Sequence, residues 1–331
     1  MHSATVSVII PAYNSERYVA DAVKSVLAQS YRPHEIIVVD DGSTDGTAHA
    51  LEPFAGAIRY LYQQNRGEPA ARNTGMRAAT GEYIAFLDAD DLWVPEKLEL
   101  QMAYFAAHPG CAFVYSDMST FDENGLVDAS VKVRFNITFP SGNIFPALFH
   151  ETLFGSGSIV FRRECLLKAG YFDEDFLVGS DYEMWLRMAR HYECGVVDKP
   201  LLLYRQHPQM STRGLGRAMR DGVPWEVEAL KKILRLYPQA AEELGRAEVK
   251  QRLSKPFADM AHTWLQLGEH RQARKLFRQA IAYWPGNWRY WPFYMLTFLT
   301  PAQIAGLRKL YGRWGKSPAQ DRADSRLRAA L

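Results

Sequence analysis

Two groups of carboxylates carry the chemistry legible in this chain. One is Asp88, Asp90 and Asp91 in Phe86-Leu87-Asp88-Ala89-Asp90-Asp91; the other is Asp41 within Val39-Asp40-Asp41-Gly42-Ser43-Thr44-Asp45. Each follows a short apolar run of strand type. Carboxylates crowded at the end of a strand repel one another, and a divalent cation removes that cost. Magnesium or manganese held by one or two carboxylates and by substrate phosphate oxygens is the usual arrangement. The plainer alternative is that Asp88 and Asp91 cap a following helix. The 40–45 segment cannot cradle phosphate, because like charges repel, but Asp41 at the strand end suits hydrogen bonds from a nucleobase N–H or from ribose hydroxyls. Ser43, Thr44 and Asp45 read as a turn and a helix N-cap.

Two further segments join these. Val6–Ile10 runs into Pro11-Ala12-Tyr13-Asn14, which places a ring and an open backbone at a strand end, with Asn14 as the cap of the next helix. Ala70-Ala71-Arg72-Asn73-Thr74-Gly75 follows Asn65-Arg66-Gly67 and offers an arginine near a helix start, suited to phosphate or base.

The elements that must position these residues alternate. Val6–Pro11, Glu35–Asp40, Ile58–Tyr62 and Tyr83–Leu87 read as strands; Glu16–Gln29, Thr44–Phe54 and Pro69–Ala79 have helical spacing between them. This is the βαβ pattern of a mainly parallel α/β sheet, which binds ligands beyond the carboxyl ends of its strands. Pro95–His108 reads as a helix with proline in its first turn, Cys111–Ser116 as a strand, Phe121–Val133 as a hairpin, Ser158–Arg162 as a strand and Asp181–His191 as a helix. From about Gly222 onward no strand pattern survives. Ser254–Pro285 carries the small/large spacing of a single tetratricopeptide-type helix hairpin, through Phe257, Ala261, Trp264, Gly268, Ala273, Phe277 and Ala280. The expected division is 1–221 for the α/β domain and 222–331 for a helical region with a basic, aromatic tail.

Composition narrows the class. With 331 residues, 47% hydrophobic, 23% charged and a net charge of +2, the chain reads as an ordinary globular protein with no nucleic-acid partner. Three scattered cysteines suit a reducing compartment and form no zinc pattern. Val6–Ile10 is too short for a signal peptide and no run approaches a membrane span, so a cytoplasmic protein is expected, free or resting on the inner face of a membrane. Aromatics from Tyr283 to Trp291 would pack the hairpin onto the α/β domain, whereas Leu307–Trp314 among Arg308, Lys309, Arg313 and Lys316 would suit peripheral contact with anionic lipid.

Taken together, the motifs from Thr5 to His207 resemble those of the family 2 glycosyltransferases. The resemblance implies a GT-A fold, a nucleoside diphosphate sugar as donor and Mn2+ or Mg2+ as cofactor. Carried over by position, Asp41 would bind the base, and Pro11, Ala12, Tyr13 and Glu16 would line base and ribose. Asp88, with Ala89 beside it, would hold ribose; Asp90 would be the metal ligand; Arg72 would sit at the base or diphosphate. In Gly179-Ser180-Asp181-Tyr182-Glu183 the family's Glu-Asp pair is replaced by Ser-Asp, which leaves Asp181 as the matched general base. Ser180 and Glu183 have capping-box spacing, which would put Asp181 in a first turn where the helix dipole favours its ionised form. Tyr204-Arg205-Gln206-His207 resembles the family's closing Tyr-Arg-x-His, where His207 would complete the metal site or touch the diphosphate and Arg205 or Arg213 would neutralise the leaving group. The implied reaction is an inverting single displacement by a hydroxyl of a glycan or lipid-linked glycan, with UDP as the default donor base. Three rivals remain: an aspartyl phosphatase, which would carry its Asp-x-Asp on an early strand; a nucleotidyltransferase, which would want a Gly-rich loop after the first strand; and a binding module built on the helix hairpin.

Overall fold

The computed structural model describes residues 4–208, 219–220, 223–299 and 303. In chain order the elements to residue 205 are Val6–Ala12 (β1), Val19–Leu27 (α1), Glu35–Asp40 (β2), Thr47–Leu51 (α2), Arg59–Tyr62 (β3), Glu68–Ala78 (α3), Tyr83–Phe86 (β4), Leu92–Trp93 (β5) and Lys97–Ala107 (α4). They continue with Phe113–Asp122 (β6), Gly125–Asp128 (β7), Val131–Phe135 (α5), Phe145–His150 (α6), Val160–Arg162 (β8), Leu166–Ala169 (α7), Ser180–His191 (α8) and Cys194–Arg205 (β9). β1 and β2 are rich in Val and Ile and buried along almost their whole length, as strands covered on both faces must be.

The sheet runs β3-β2-β1-β4-β8-β6-β9-β5, with β7 hairpinned onto β6. β3, β2, β1 and β4 are parallel, as the alternating pattern predicts. Beyond β4 the sheet is mixed: β8 is antiparallel to β4 and β6, β9 is parallel to β6, and β5 is antiparallel to β9. Register brings the motif-bearing strand ends together. Ala12 stands opposite Asp40, Asp40 opposite Tyr62, and Ile9 opposite Phe86.

Several local expectations need correction. α1 begins at Val19 rather than Glu16, because residues 14–16 are tied instead to the loop after β2 and the first residue of α2. Asn14 therefore caps no helix: its Oδ1 accepts the Thr44 N–H, at a positive φ of 49°. Asp45, not Ser43 or Thr44, accepts the first N–H of α2, at Thr47. Pro95 lies just outside α4.

Two compact units divide at Met210 and Ser211. In the second, Met219–Arg220 (β10) and Val223–Pro224 (β11) form a short antiparallel pair, so strand structure does persist past residue 222. The helices Trp225–Leu236 (α9), Ala240–Glu243 (α10), Arg246–Gln266 (α11), His270–Tyr283 (α12) and Tyr290–Leu296 (α13) follow. α11 and α12 form the expected hairpin, with Phe257, Ala261, Ala273, Phe277 and Ala280 buried between them. α11 starts at Arg246, two turns before the repeat-like pattern begins. Tyr283 stacks on Phe257, but Trp288 is 71% exposed, so the aromatic run does not pack as one block. Arg213 and Leu307–Trp314 lie outside the described residues. No helix among the described residues is long and apolar enough to cross a membrane.

The position of α3 on the sheet depends on one glycine. A Cβ built on Gly75 would lie 2.4 Å from Ile9 Cγ2, so the helix bearing Arg72 can reach β1 only because that atom is missing. Gly75→Ala is expected to cost about 1–3 kcal/mol, the usual range for an overpacked core contact. A urea midpoint unchanged from wild type would show that α3 has room to shift.

Candidate active site

The carboxyl edge of the parallel strands is built from four loops. After β2, the buried Asp41 carboxylate accepts Gln63 Nε2 at 2.7 Å, the Arg66 N–H at 3.0 Å and the Gly67 N–H at 2.8 Å. It thus holds the loop that enters α3. Its neighbour Asp40 accepts Ser43 N–H and the Tyr60 hydroxyl. Pro11 and Ala12 are buried at the end of β1, leaving the backbone and the half-exposed Tyr13 ring at the edge. Glu16 is committed to the wall, since its Oε2 accepts the Gly46 N–H at 2.7 Å.

At the centre is Arg72, buried in the first half of α3. Its guanidinium donates to Asp88 Oδ1 at 2.8 Å and also pairs with Glu68, one helical turn earlier. The same group lies over the rings of Phe86 and Phe172, 5.6 and 5.4 Å from their centroids. These carboxylates keep the guanidinium protonated despite its burial, with Glu68 and Asp88 the chief partners. Ala89 is buried and offers only its backbone.

β5 and β9 complete the far side. Leu92 pairs with Leu203 and Trp93 with Leu202, which brings residues 204–207 beside the 88–91 loop. Arg205 gives its backbone N–H to Asp91 Oδ1 at 2.9 Å and its Nε to the Asp90 carbonyl at 2.7 Å, between the rings of Tyr18 and Phe121. His207 Nε2 then meets Asp90 Oδ2 at 2.9 Å, and the ring packs 4.8 Å from Tyr18. Desolvation, and next the Asp88 charge, raise the Asp90 carboxyl, while His207 opposes the shift. Burial and then Asp90 and Asp88 push Asp91 well above the usual carboxylate range.

The third wall is α8. Trp185 on this helix is buried against Phe86, Phe161 and Phe172, which docks its N-terminus over the end of β4. Asn73 fixes the approach, exchanging hydrogen bonds with the Phe172 backbone and donating to Glu174. The capping box predicted at Ser180 and Glu183 does not form. Gly179 is the cap residue, with φ of 76°, and the buried Glu183 turns inward to a two-point pair with Arg187 at 2.8 Å. Ser180 is already the first helical residue, one position past the cap, so its hydroxyl and Glu183 are out of register for a capping box. Asp181 still lies in the first turn, where its Oδ2 accepts the Ser156 hydroxyl at 3.3 Å.

The donor set fits a divalent cation in part. Among the described residues no three His, Cys, Asp or Glu side chains converge as a metal cluster. Asp90 and His207 do converge, and the buried His207 Nδ1 has no hydrogen-bond partner among the described residues. Two protein ligands suit Mn2+ or Mg2+ with phosphate and water in the other positions.

Comparison with known proteins is decisive for the family. Residues 7–169 match Glycosyl transferase family 2. The Escherichia coli UDP-Glc:alpha-D-GlcNAc-diphosphoundecaprenol beta-1,3-glucosyltransferase WfgD is 31% identical over 192 residues, 57% of this chain and 72% of that protein. The chain belongs to glycosyltransferase family 2. An uncharacterised glycosyltransferase of Rickettsia felis is 34% identical over 203 residues, 61% of this chain; the match spans about a third of that longer relative, 33%. The mannosyltransferase PcManGT from Pyrobaculum calidifontis, solved with GDP-Man and Mn2+, superposes with a TM-score of 0.53 at 20% identity, covering 95% of this chain and 89% of that one. The glycosyltransferase therefore has a GT-A type fold followed by helices.

Sequence reasoning passed over Glu68 and Ser156. The i, i+4 spacing of Glu68 and Arg72 was a usable signal; nothing local marked Ser156, whose partner is 25 residues away. Desolvation, and then Asp88, Asp181 and Asp90, push the Glu68 carboxyl up to about 7 against the pull of Arg72, although 43% of its side chain is exposed. A raised carboxyl holds its proton in the folded state, so stability present below pH 4.5 is lost as pH rises through about 7. Glu68→Gln should flatten the thermal midpoint across that window; a slope equal to wild type would place the titration elsewhere.

Proposed function

We propose that this glycosyltransferase moves a sugar from a nucleoside diphosphate sugar to a hydroxyl of a glycan or lipid-linked glycan, with inversion. The observation that carries the reading is the meeting of Asp90 and His207, 117 residues apart, at the carboxyl edge of a sheet whose other loops present Asp41, Asp88 and Asp181. Asp41 and the Tyr13 ring are assigned to the base, Pro11, Ala12 and Glu16 to the walls around base and ribose, and Asp88 and Ala89 to the ribose. Arg72 orients Asp88 and Glu68 beneath the donor. UDP is the preferred base, supported by the donor in the name of the E. coli relative; a lipid-linked acceptor has the same support.

Asp90 and His207 would hold the cation, which when bound offsets negative charge on the diphosphate. Asp181 accepts the proton of the acceptor hydroxyl. That oxygen forms its bond to the anomeric carbon as the carbon–phosphate oxygen bond breaks, and the nucleoside diphosphate departs with the electron pair. One base on one face gives inversion, and none of the other carboxylates in the site is assigned as a covalent nucleophile. Three buried free cysteines support work in a reducing compartment.

Two measurements test this assignment. Asp90→Ala should abolish Mn2+-dependent binding of nucleoside diphosphate in calorimetry while thermal unfolding stays cooperative; unchanged affinity would remove Asp90 from the metal site. Asp181→Asn should lower turnover roughly a hundredfold or more with donor affinity nearly unchanged, the scale for losing a general base. Weakened donor binding at normal turnover would move Asp181 to the donor side.

A further inference from the structure

Lys97 is fully buried, yet no carboxylate among the described residues pairs with it. Its Nζ donates to Gln101 Oε1 at 2.7 Å and lies 4.1 Å from the centre of the Trp93 ring. Burying a charged ammonium on these terms is costly, and desolvation drives its pKa well down. A residue kept at that cost in a family 2 enzyme calls for a physical reason, and its partners supply one. Gln101 Nε2 donates to the carbonyls of Ser158, at 2.8 Å, and Val114, at 3.2 Å. Trp93 Nε1 donates to the Gly157 carbonyl at 2.9 Å. Both acceptors on the short turn Ser156–Ser158 are thus held from below by a single i, i+4 pair and its neighbouring indole.

The turn is locked in other ways. The Ser158 hydroxyl and backbone N–H both donate to the Gly155 carbonyl, at 2.8 and 3.1 Å. At Gly157 a Cβ would lie 2.9 Å from Leu202 Cδ1, so β9 packs directly on the turn. What this hydrogen-bonded turn presents upward is Ser156, itself buried, whose Oγ donates to Asp181 Oδ2 at 3.3 Å.

We propose that Ser156 is a positioning residue for Asp181, and that Trp93, Lys97 and Gln101 form the buried pedestal that holds its hydroxyl in place. This rests on Asp181 being the general base. Asp181 Oδ1 accepts the Tyr182 N–H at 2.8 Å, which holds one oxygen on its own helix; the Ser156 hydroxyl, fixed to the sheet, restricts Oδ2, and the lone pairs left on both oxygens serve the incoming acceptor. Geometry of this kind governs how often a base and its substrate are aligned, and small misplacements lower turnover without touching donor binding. The pedestal explains why a lysine is buried at this position: its aliphatic stem fills the core beneath the turn, and its donor sets which way the Gln101 amide faces.

The experiment is a double-mutant cycle on full-length protein, with transfer and donor binding measured separately. Ser156→Ala is expected to lower kcat about tenfold, with the donor KM and the thermal midpoint unchanged, and Ser156→Thr, which restores the hydroxyl, to recover most of the loss. In an Asp181→Asn background the added Ser156→Ala change should cost nothing further. If Asp181→Asn leaves kcat intact, the base assignment fails. If Asp181→Asn abolishes turnover but Ser156→Ala has no effect, or Thr does not rescue, the positioning proposal fails alone. Equal losses from Ser156→Ala with and without Asp181 would also overturn it. Lys97→Met should reproduce the kcat loss of Ser156→Ala at unchanged donor KM; if Lys97→Met does not fold, the serine cycle decides.

Discussion

The whole site depends on one buried guanidinium divided between two carboxylates. Arg72 pairs with Asp88 and Glu68 while its face rests on Phe86 and Phe172. Without that positive charge, Asp88, Asp90, Asp91 and Glu68 would crowd one partly desolvated edge, and most would have to take up protons to stay folded. With it, Asp88 and Glu68 face a positive partner at that edge. The carboxyls of Glu68, Asp90 and Asp91 are still shifted upward, by burial first and by neighbouring carboxylates next.

That constraint reaches back into the core. Arg72 is in place only because α3 lies against β1 at the contact of Gly75 with Ile9, and because Asp41 gathers the backbone leading into the helix. Asp41 illustrates how one residue serves two ends. In the structure its oxygens organise the 63–67 loop, and the base contact assigned to it would have to share those oxygens or take their free lone pairs.

The four parallel strands were legible because their covered Val and Ile runs leave little alternative, and the carboxylate motifs were legible because they follow those strands directly. What stayed hidden involves contacts distant in the chain. Helical spacing begins at Glu16, yet hydrogen bonds from the N–H groups of residues 14–16 to Ser43, Thr47 and Asp45 hold that stretch out of α1. Ser180 and Glu183 have the spacing of a capping box, but Arg187 draws Glu183 into the core. Spacing describes which residues share a turn; it does not say which face of that turn becomes buried. Ser156 shows the same limit, since a serine in a Gly-Ser-Gly-Ser stretch gives no local hint of a carboxylate 25 residues on.

β5 shows how little secondary structure is needed to assemble a candidate metal site. It is two residues long, and its pairing with Leu202 and Leu203 is what returns the chain to the 88–91 loop. The Arg205 N–H then satisfies Asp91 and its side chain holds the Asp90 carbonyl, which leaves the Asp90 carboxylate pointing to His207. Asp91, the most deeply buried of the three acids, therefore acts as a structural clamp, and Asp90 is the one left available. Within Asp88-Ala89-Asp90-Asp91, division of labour follows from burial and partner: Asp88 goes to the arginine, Asp91 to the backbone of β9, and Asp90 to the His207 imidazole.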